Sequence, residues 1–159
     1  MYCPTPLEAF ILDVYAALGI TGPEELEIGP VAGHFGLRLM LADVGSRRVG
    51  SWIVLDRRLP ADRRREDFFH ELVHAVLDSG NQLQDPRLRV AFQEGRADRA
   101  AMEWAAPGPW LLERLDPDRP YADQVPALAG AFRLSRAFMA RRLYHLWRRV
   151  EAIRLGALK

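Results

Sequence analysis

The sequence has very little cysteine and no long apolar run. Cys3 is the single cysteine among 159 residues. One cysteine cannot form an intramolecular disulfide, so we expect a reducing compartment. No stretch approaches the ~18–20 apolar residues that a membrane-spanning helix needs. An export signal has a basic region followed by an uninterrupted apolar stretch. Here no basic region precedes the first apolar stretch, and Asp13 interrupts that stretch. These absences predict a cytoplasmic protein with no membrane partner.

Internal repeats and low-complexity linkers are also absent from the chain. Its length suits one compact domain, and a hydrophobic content of 49% is enough for a core without disulfide or metal staples. We therefore predict a single domain over residues 1–159.

Negative charge is scarce at the C-terminal end. Residues 131–159 hold eight basic residues and one acidic residue, a net charge of +7, whereas residues 1–130 carry a net charge of −6. A basic segment on an acidic body is typical of nucleic-acid binding, of an acidic partner, or of a helix that docks on its own body.

The first third of the chain predicts a helix followed by strands. Residues 5–18 have helical apolar spacing, with Thr5 as the cap and Pro6 in the first turn. Residues 31–56 alternate in the manner of strands. The turn-like "DVGSRR" between "GLRLMLADV" and "VGSWIVLD" predicts an antiparallel hairpin.

The stretch "DFFHELVHAVLDSG" predicts a helix of about 16–18 residues, with a start marked by Pro60 and Asp62 and an end marked by Gly80. Its apolar residues form two adjacent rows, which are Phe68, Leu72 and Val76, and Phe69, Val73 and Leu77.

Two histidines lie one turn apart on this helix. Because His70 and His74 are four residues apart, both imidazoles can converge on one metal ion. Glu71 projects beside them, where the water on that ion would lie. This is the HExxH arrangement of two zinc ligands and a general base. The alternative is a pair of histidines that merely satisfy their hydrogen bonds in the core or at the surface.

A catalytic zinc ion normally has three protein ligands, and the next predicted helix, over 87–105, offers the third. Glu94 and Asp98 share one face of it. Glu94 is the candidate ligand, and Asp98 the candidate acceptor for the far nitrogen of a metal-binding histidine. In the alternative, this face is solvated and its acids pair with Arg96 and Arg99. Zn²⁺ is the expected cofactor, with Mn²⁺ as the other possibility.

The remaining histidines, His34 in "AGHFG" and His145 in the basic segment, are interpreted as ordinary residues rather than ligands. Cys3 is interpreted as a free thiol on the tail. The oxyanion that forms during peptide hydrolysis also needs a donor, and four candidates stay open: Tyr121, Tyr144, His145 and Arg142.

The last third predicts a loop over 110–125, a short helix near 126–132 and a long helix capped by Ser135. The predicted packed face of the long helix is Ala137, Ala140, Leu143, Leu146 or Trp147, Val150 and Ile153. A helix, a turn and a long basic helix favour, as the rival function, a non-catalytic module that binds a repressor or DNA.

Three segments together resemble the ImmA/IrrE-type metallopeptidases. The stretch "VGSWIVLDRRLPADRRREDFFHELVHAVLDSG" is similar to the family's strand, basic link and HExxH helix. "EGRADRAAMEWAAP" is similar to its second-helix pattern, and "RLSRAFMARRLYHL" to a later serine-initiated helix with an Arg-Leu pair. The resemblance spans about residues 26–150.

This resemblance implies an α+β, gluzincin-like (zincin-like) fold, in which a small, mainly antiparallel sheet packs on a helical bundle that carries the HExxH helix and the Glu-bearing helix. It implies that His70, His74 and Glu94 bind zinc and that Glu71 is the catalytic base. It also implies an intracellular endopeptidase that cuts few sites, often in a helix-turn-helix transcriptional repressor. Two positions depart from the family pattern: Val73 replaces the usual glycine, and Asp67 the usual threonine.

Overall fold

The computed structural model describes residues 2–78 and 97–157, apart from the side chains of residues 77 and 78. These ranges contain seven helices and three strands. The strands are β1 (Arg38–Ala42), β2 (Arg47–Val49) and β3 (Trp52–Asp56). The helices are α1 (Pro6–Ala17), α2 (Ile28–His34), α3 (Ala61–Asp78), α4 (Ala97–Ala105), α5 (Gly108–Leu112), α6 (Tyr121–Phe132) and α7 (Arg136–Arg154).

The start of α1 confirms its sequence prediction. The Thr5 hydroxyl accepts a hydrogen bond from the Glu8 amide at 2.9 Å, and the Glu8 carboxylate accepts one from the Thr5 amide at 3.0 Å. This reciprocal pair satisfies two amides that have no partner within the helix. It also fixes the Glu8 side chain at a place where it enters the core.

The predicted antiparallel hairpin between residues 37–42 and 50–55 is wrong, and with it the mainly antiparallel sheet. The sheet is mixed, in the order β1-β3-β2; β1 is parallel to β3, and β2 is antiparallel to β3. The residues interpreted as a turn include two of the three residues of β2, Arg47 and Arg48. The tight connection instead lies at Gly50, whose φ of +58° suits glycine.

Residues 31–34 were predicted as strand but belong to α2, so His34 ends a short helix rather than lying in a turn. Val31 and Ala32 are buried in the core. The burial of this apolar pair accounts for a helix that contains two glycines, because tertiary packing overrides weak local propensity.

Helix α3 begins and ends as the apolar pattern predicts within the described residues. Its 18 residues bury Phe68, Phe69, Leu72, Val73 and Val76 almost completely. The departure at Val73 therefore adds apolar volume to the core. Gly80, the predicted cap, lies outside the described residues.

Helix α4 confirms the described part of the predicted 87–105 helix, since it ends at Ala105, before Pro107. The loop predicted for 110–125 is confirmed only over residues 113–120, and the short helix near 126–132 is confirmed as the second half of a longer helix. Helix α5 follows α4 at once, and α6 begins at Tyr121 and includes Pro126. Pro126 is exposed, so water can reach the carbonyl that loses its helical hydrogen bond.

Ser135 caps α7 as predicted, with its hydroxyl accepting a hydrogen bond from the Phe138 amide at 3.2 Å. The predicted packed face is confirmed at Leu143, Leu146 and Val150 but is wrong at Ala137 and Ala140, which are exposed. The buried residues of α7 are Phe138, Met139, Arg142, Leu143 and Leu146. The helix is rotated relative to the prediction because one of its arginines faces the core.

That arginine takes part in a buried ion pair. The Nη2 atom of Arg142 lies 2.9 Å from Oε1 of Glu8, and the two side chains are 4% and 1% exposed. Arg142 Nε also donates to the Ala106 carbonyl at 2.8 Å, and the Gly108 amide donates to Glu8 at 3.0 Å. This network joins α1, the end of α4 and α7.

Glu103 is a second buried acid beside this network and gives a pH-dependent prediction. Burial raises the pKa of Glu103, an effect that the Arg142 guanidinium opposes and the Glu8 carboxylate reinforces. A raised pKa in the folded state means that the stabilisation is complete below the unfolded pKa and is lost as the pH rises through the folded value.

We expect the Glu103→Gln substitution to remove this loss of stability at higher pH. Urea unfolding should show the variant gaining stability relative to the native chain as the pH rises above about 4, the ordinary pKa of an unfolded glutamate. An unchanged difference as the pH rises would contradict the assignment.

Candidate metal centre

His70 and His74 lie on the side of α3 opposite its apolar rows. Both side chains are half-buried, and their Nε2 atoms are 3.1 Å apart. Their ring planes cross at 70°, with centroids 4.7 Å apart. Helix geometry, rather than a flexible loop, therefore holds two imidazole nitrogens toward one point.

Asp98 approaches the other nitrogen of the first histidine. Its Oδ1 atom lies 3.2 Å from Nδ1 of His70, across the contact between α4 and α3. An ionised carboxylate can only accept hydrogen bonds, so a hydrogen bond at this contact would require the proton on Nδ1 and would leave the Nε2 lone pair of His70 toward His74. The alternative interpretation paired Asp98 with Arg99, but Nε of Arg99 instead lies 3.8 Å from Oε1 of Glu103.

Glu71 is half-buried beside the histidines. Within the described residues its carboxylate forms no hydrogen bond or ion pair, which leaves both oxygens available to a bound water. Glu94, the predicted third ligand, and Arg96 lie outside the described residues. No three His, Cys, Asp or Glu side chains within 2–78 and 97–157 are placed to share a metal ion.

The other possible ligands lie elsewhere. His34 is exposed and packs edge-on against Phe35, Cys3 is exposed near the N-terminus, and His145 is half-buried on α7. Burial, and then the Arg99 guanidinium, lower the pKa of His145, which favours its neutral form.

The structure removes Arg142 from the four candidates for the oxyanion donor. Arg142 is buried in its ion pair with Glu8, so its guanidinium does not reach a substrate in solvent. Tyr121 and Tyr144 lie along a groove between α6 and α7.

Sequence reasoning missed the edge strand nearest to the candidate centre. Arg48 of β2, Gly50 and Ala75 of α3 line one cavity of about 240 Å³, and Ala75 directly follows His74. The strand β3 is the central strand of the sheet, with neighbours on both sides, so it offers no free edge to a substrate. Gly50 precedes the run of aromatic and β-branched residues that begins at Trp52. This glycine was the sequence feature that indicates the hairpin between β2 and β3.

Part of the basic C-terminal segment docks on the rest of the chain through its arginines. Arg142 pairs with Glu8, Arg133 with Glu27 at 2.6 Å, and Arg149 donates to the Cys3 carbonyl at 3.0 Å. These contacts match the third sequence interpretation, in which a basic helix docks on its own acidic body. They leave fewer arginines for the phosphates of DNA.

The chain belongs to the ImmA/IrrE family of peptidases: the model of the peptidase family described as the IrrE N-terminal-like domain matches residues 34–144. It is similar to the phage-like element PBSX protein XkdA of Bacillus subtilis (strain 168), with 28% identity over 151 residues, covering 92% of this chain and 76% of that protein. No solved structure matches the chain at a significant level. Among the described residues, no helix combines the length and apolarity needed to span a bilayer.

Proposed function

We propose that the chain is a zinc-dependent intracellular endopeptidase whose single domain covers residues 1–159. The observation that carries this proposal is the convergence of His70 Nε2 and His74 Nε2 to 3.1 Å, with Asp98 on the far side of the first ring. Membership of a peptidase family supplies the reaction class.

The histidine pair fits a zinc ion. Two imidazole nitrogens bound to tetrahedral zinc at 2.0–2.1 Å are about 3.3 Å apart, close to the separation in this chain. The Asp98 carboxylate supplies the hydrogen bond that commonly fixes the tautomer of a zinc-binding histidine. We propose Glu94 as the third ligand, and Mn²⁺ as the alternative ion.

The chain's own groups perform the proton transfers in this proposal. When zinc is bound, it polarises the scissile carbonyl and lowers the pKa of water. The Glu71 carboxylate takes a proton from the attacking water and later delivers it to the nitrogen of the leaving amine. His70, held by Asp98, keeps its Nδ1 proton throughout. A dedicated base one residue from the first ligand needs no rearrangement between these steps.

The substrate in this proposal is a protein, and a helix-turn-helix repressor is the specific candidate. An extended segment of it would pair with the free side of β2, because β2 is an edge strand close to α3 whereas β3 has no free edge. Pairing through the backbone would place a peptide bond near the histidines without requiring a particular sequence.

The test uses the purified chain, stripped of metal, with a purified helix-turn-helix repressor as the substrate. Added Zn²⁺ should restore cleavage at one site, with activity reaching a plateau at one equivalent of metal per chain. The same preparation without added metal is the control. Cleavage that is equally fast in the stripped protein would refute a metal-dependent peptidase.

Removal of the Asp98 charge gives a prediction for the metal site itself. The Asp98→Asn substitution should lower zinc affinity by about tenfold. Residues that hydrogen-bond a metal-binding histidine typically contribute about 10- to 100-fold, and we expect the low end of that range because Asp98 is largely exposed. Competition with a chromophoric chelator measures the affinity. The exposed Asp123 on α6 provides the matched control, Asp123→Asn, which should bind zinc as the native chain does. Equal affinities in all three proteins would remove Asp98 from the site.

A further inference from the structure

An apolar groove lies between α6 and α7, away from the histidine pair on α3. It has a volume of about 620 Å³, and its lining is mostly carbon. Two large aromatic side chains in the groove are exposed to solvent, with Tyr144 53% exposed and Trp147 42% exposed. The residues that define this α6–α7 groove are Tyr121, Val125, Pro126, Ala140, Tyr144 and Trp147. Exposed apolar surface of this kind marks an interaction site more often than a scattered surface residue does.

The α7 side of the groove carries positive charge that the chain itself does not neutralise. Arg136 lines the groove, Arg148 lies over the Tyr144 ring at 5.9 Å, and Arg141 lies over Phe138 at 5.9 Å. All three are exposed, and none has a carboxylate within 4.0 Å in the described part of the chain. Other arginines of α7, such as Arg142, do have acidic partners. The unpaired charge is therefore concentrated beside the apolar groove.

We propose that the α6–α7 groove binds an amphipathic helix of the protein substrate, one with an apolar face and acidic residues along its edge. This rests on the proposed peptidase function. The lining residues of α7 run from Arg136 to Trp147, about 16 Å at 1.5 Å per residue, which accommodates about three turns of a partner helix. Apolar residues at i, i+3 or i+4 and i+7 would enter the groove, and aspartate or glutamate beside them would meet the three arginines.

The charge of the groove argues against two other occupants, a second copy of the chain and a nucleic acid. In a symmetric dimer formed through this face, each copy would bring Arg136, Arg141 and Arg148 toward the same arginines of the other copy, and like charges at an interface are unfavourable. A nucleic acid would meet the arginines, but its phosphates would leave the apolar floor without a matching surface. An acidic amphipathic helix satisfies both parts of the groove.

The position of the groove suits a substrate that is held at two places. Helix α7 packs against α4, the helix that carries Asp98. His145, next to Tyr144, lies close enough to Arg99 for that guanidinium to lower its pKa. A helix bound in the groove would therefore be anchored to the element that supports His70, and a flanking extended segment would be tethered near the histidine pair. Such tethering raises the effective concentration of one cleavage site over all others.

The experiment measures binding of two fluorescent helical peptides to the full chain carrying Glu71→Gln, which prevents cleavage during the measurement. Each peptide has about 14 residues, three helical turns and the same apolar face. One has glutamate at its flanking positions and the other has lysine. We expect the glutamate peptide to bind and the lysine peptide to bind at least about tenfold more weakly. Equal binding of both peptides, or no binding of the glutamate peptide, would overturn the proposal.

Two protein variants locate the binding. Ala140→Glu places a carboxylate in the exposed groove without removing core volume, and Arg148→Glu reverses a charge beside the groove; each should weaken the glutamate peptide about tenfold or more. Arg38→Glu reverses an exposed charge on β1 and should leave binding unchanged. Equal weakening by Arg38→Glu would mean that the effect is only net charge and would overturn the proposal.

Two further results would overturn it in favour of another occupant. One is tighter binding of a ~20-nucleotide DNA, single- or double-stranded, than of the glutamate peptide at about 0.15 M salt. The other is a dimer of the native chain that Ala140→Glu dissociates. Peptide binding does not require hydrolysis, so a chain that binds the peptide but never cleaves protein would refute the peptidase proposal alone. A chain that cleaves with equal efficiency in its native and Ala140→Glu forms would refute the groove alone.

Discussion

The Glu71→Gln variant should still bind one zinc ion but should cleave its protein substrate at least about a thousandfold more slowly, within the range that a positioned general base contributes. Glutamine has the size of glutamate but cannot take a proton from water. The half-buried position of Glu71, with no competing partner in the described residues, is consistent with this single role. Cleavage of a purified helix-turn-helix repressor, followed by mass spectrometry of the products, measures the rate.

The matched control for Glu71→Gln is Glu151→Gln on α7. Glu151 is a half-buried glutamate that pairs with Arg154 at 3.7 Å, far along the chain from the HExxH helix. It should cleave as the native chain does. Unimpaired cleavage by Glu71→Gln would show that another group accepts the proton, and the mechanism proposed above would then be wrong.

The Arg142→Ala variant should lose about 3–5 kcal/mol of folding free energy, which is typical when one partner of a buried ion pair is removed. The loss arises because Glu8 is only 1% exposed, so its carboxylate would lie in the core without its guanidinium partner. The Ala106 carbonyl would also lose its donor. Chemical denaturation followed by circular dichroism measures the change.

Arg141→Ala is the control for Arg142→Ala, because Arg141 is the exposed neighbour on the same helix and should change stability by no more than about 0.5 kcal/mol. Because Glu8 and Arg142 interact directly, the Glu8→Gln, Arg142→Met double variant should lose less than the two single variants together. Equal stability of the Arg141→Ala and Arg142→Ala proteins would contradict the buried network.

The elements that sequence predicts well are those fixed by local chemistry. The cap at Thr5, the cap at Ser135 and the apolar rows of α3 are each specified by residues within a few positions of one another. The spacing of His70 and His74 belongs to the same class, since one turn of helix brings the two side chains together whatever the rest of the chain does.

The features that sequence reasoning missed depend on distant partners. The rotation of α7 follows from Glu8, which is 134 positions away from Arg142 in the chain, and no local pattern on α7 reveals an arginine that faces inward. The parallel pairing of β1 with β3 depends on a three-residue strand at the other edge of the sheet. Helical spacing puts Ala137 and Ala140 on the predicted packed face of α7, whereas both are exposed and line the α6–α7 groove.

The approach of Asp98 to His70 lies between these two cases. The spacing of Glu94 and Asp98 indicated a shared helix face, but only the packing of α4 on α3 sets the distance of 3.2 Å to the imidazole. A contact across two helices requires the fold as well as the motif.

The most direct test of the central claim is a zinc-binding measurement on three proteins: the native chain, His74→Ala and His145→Ala. If His70 and His74 share one ion, the native chain and His145→Ala should each bind one equivalent of zinc with the same affinity. His74→Ala should bind more than about a hundredfold more weakly, since even partners outside the ligand shell contribute 10- to 100-fold. Zinc binding by His74→Ala that equals that of the native chain would contradict the account.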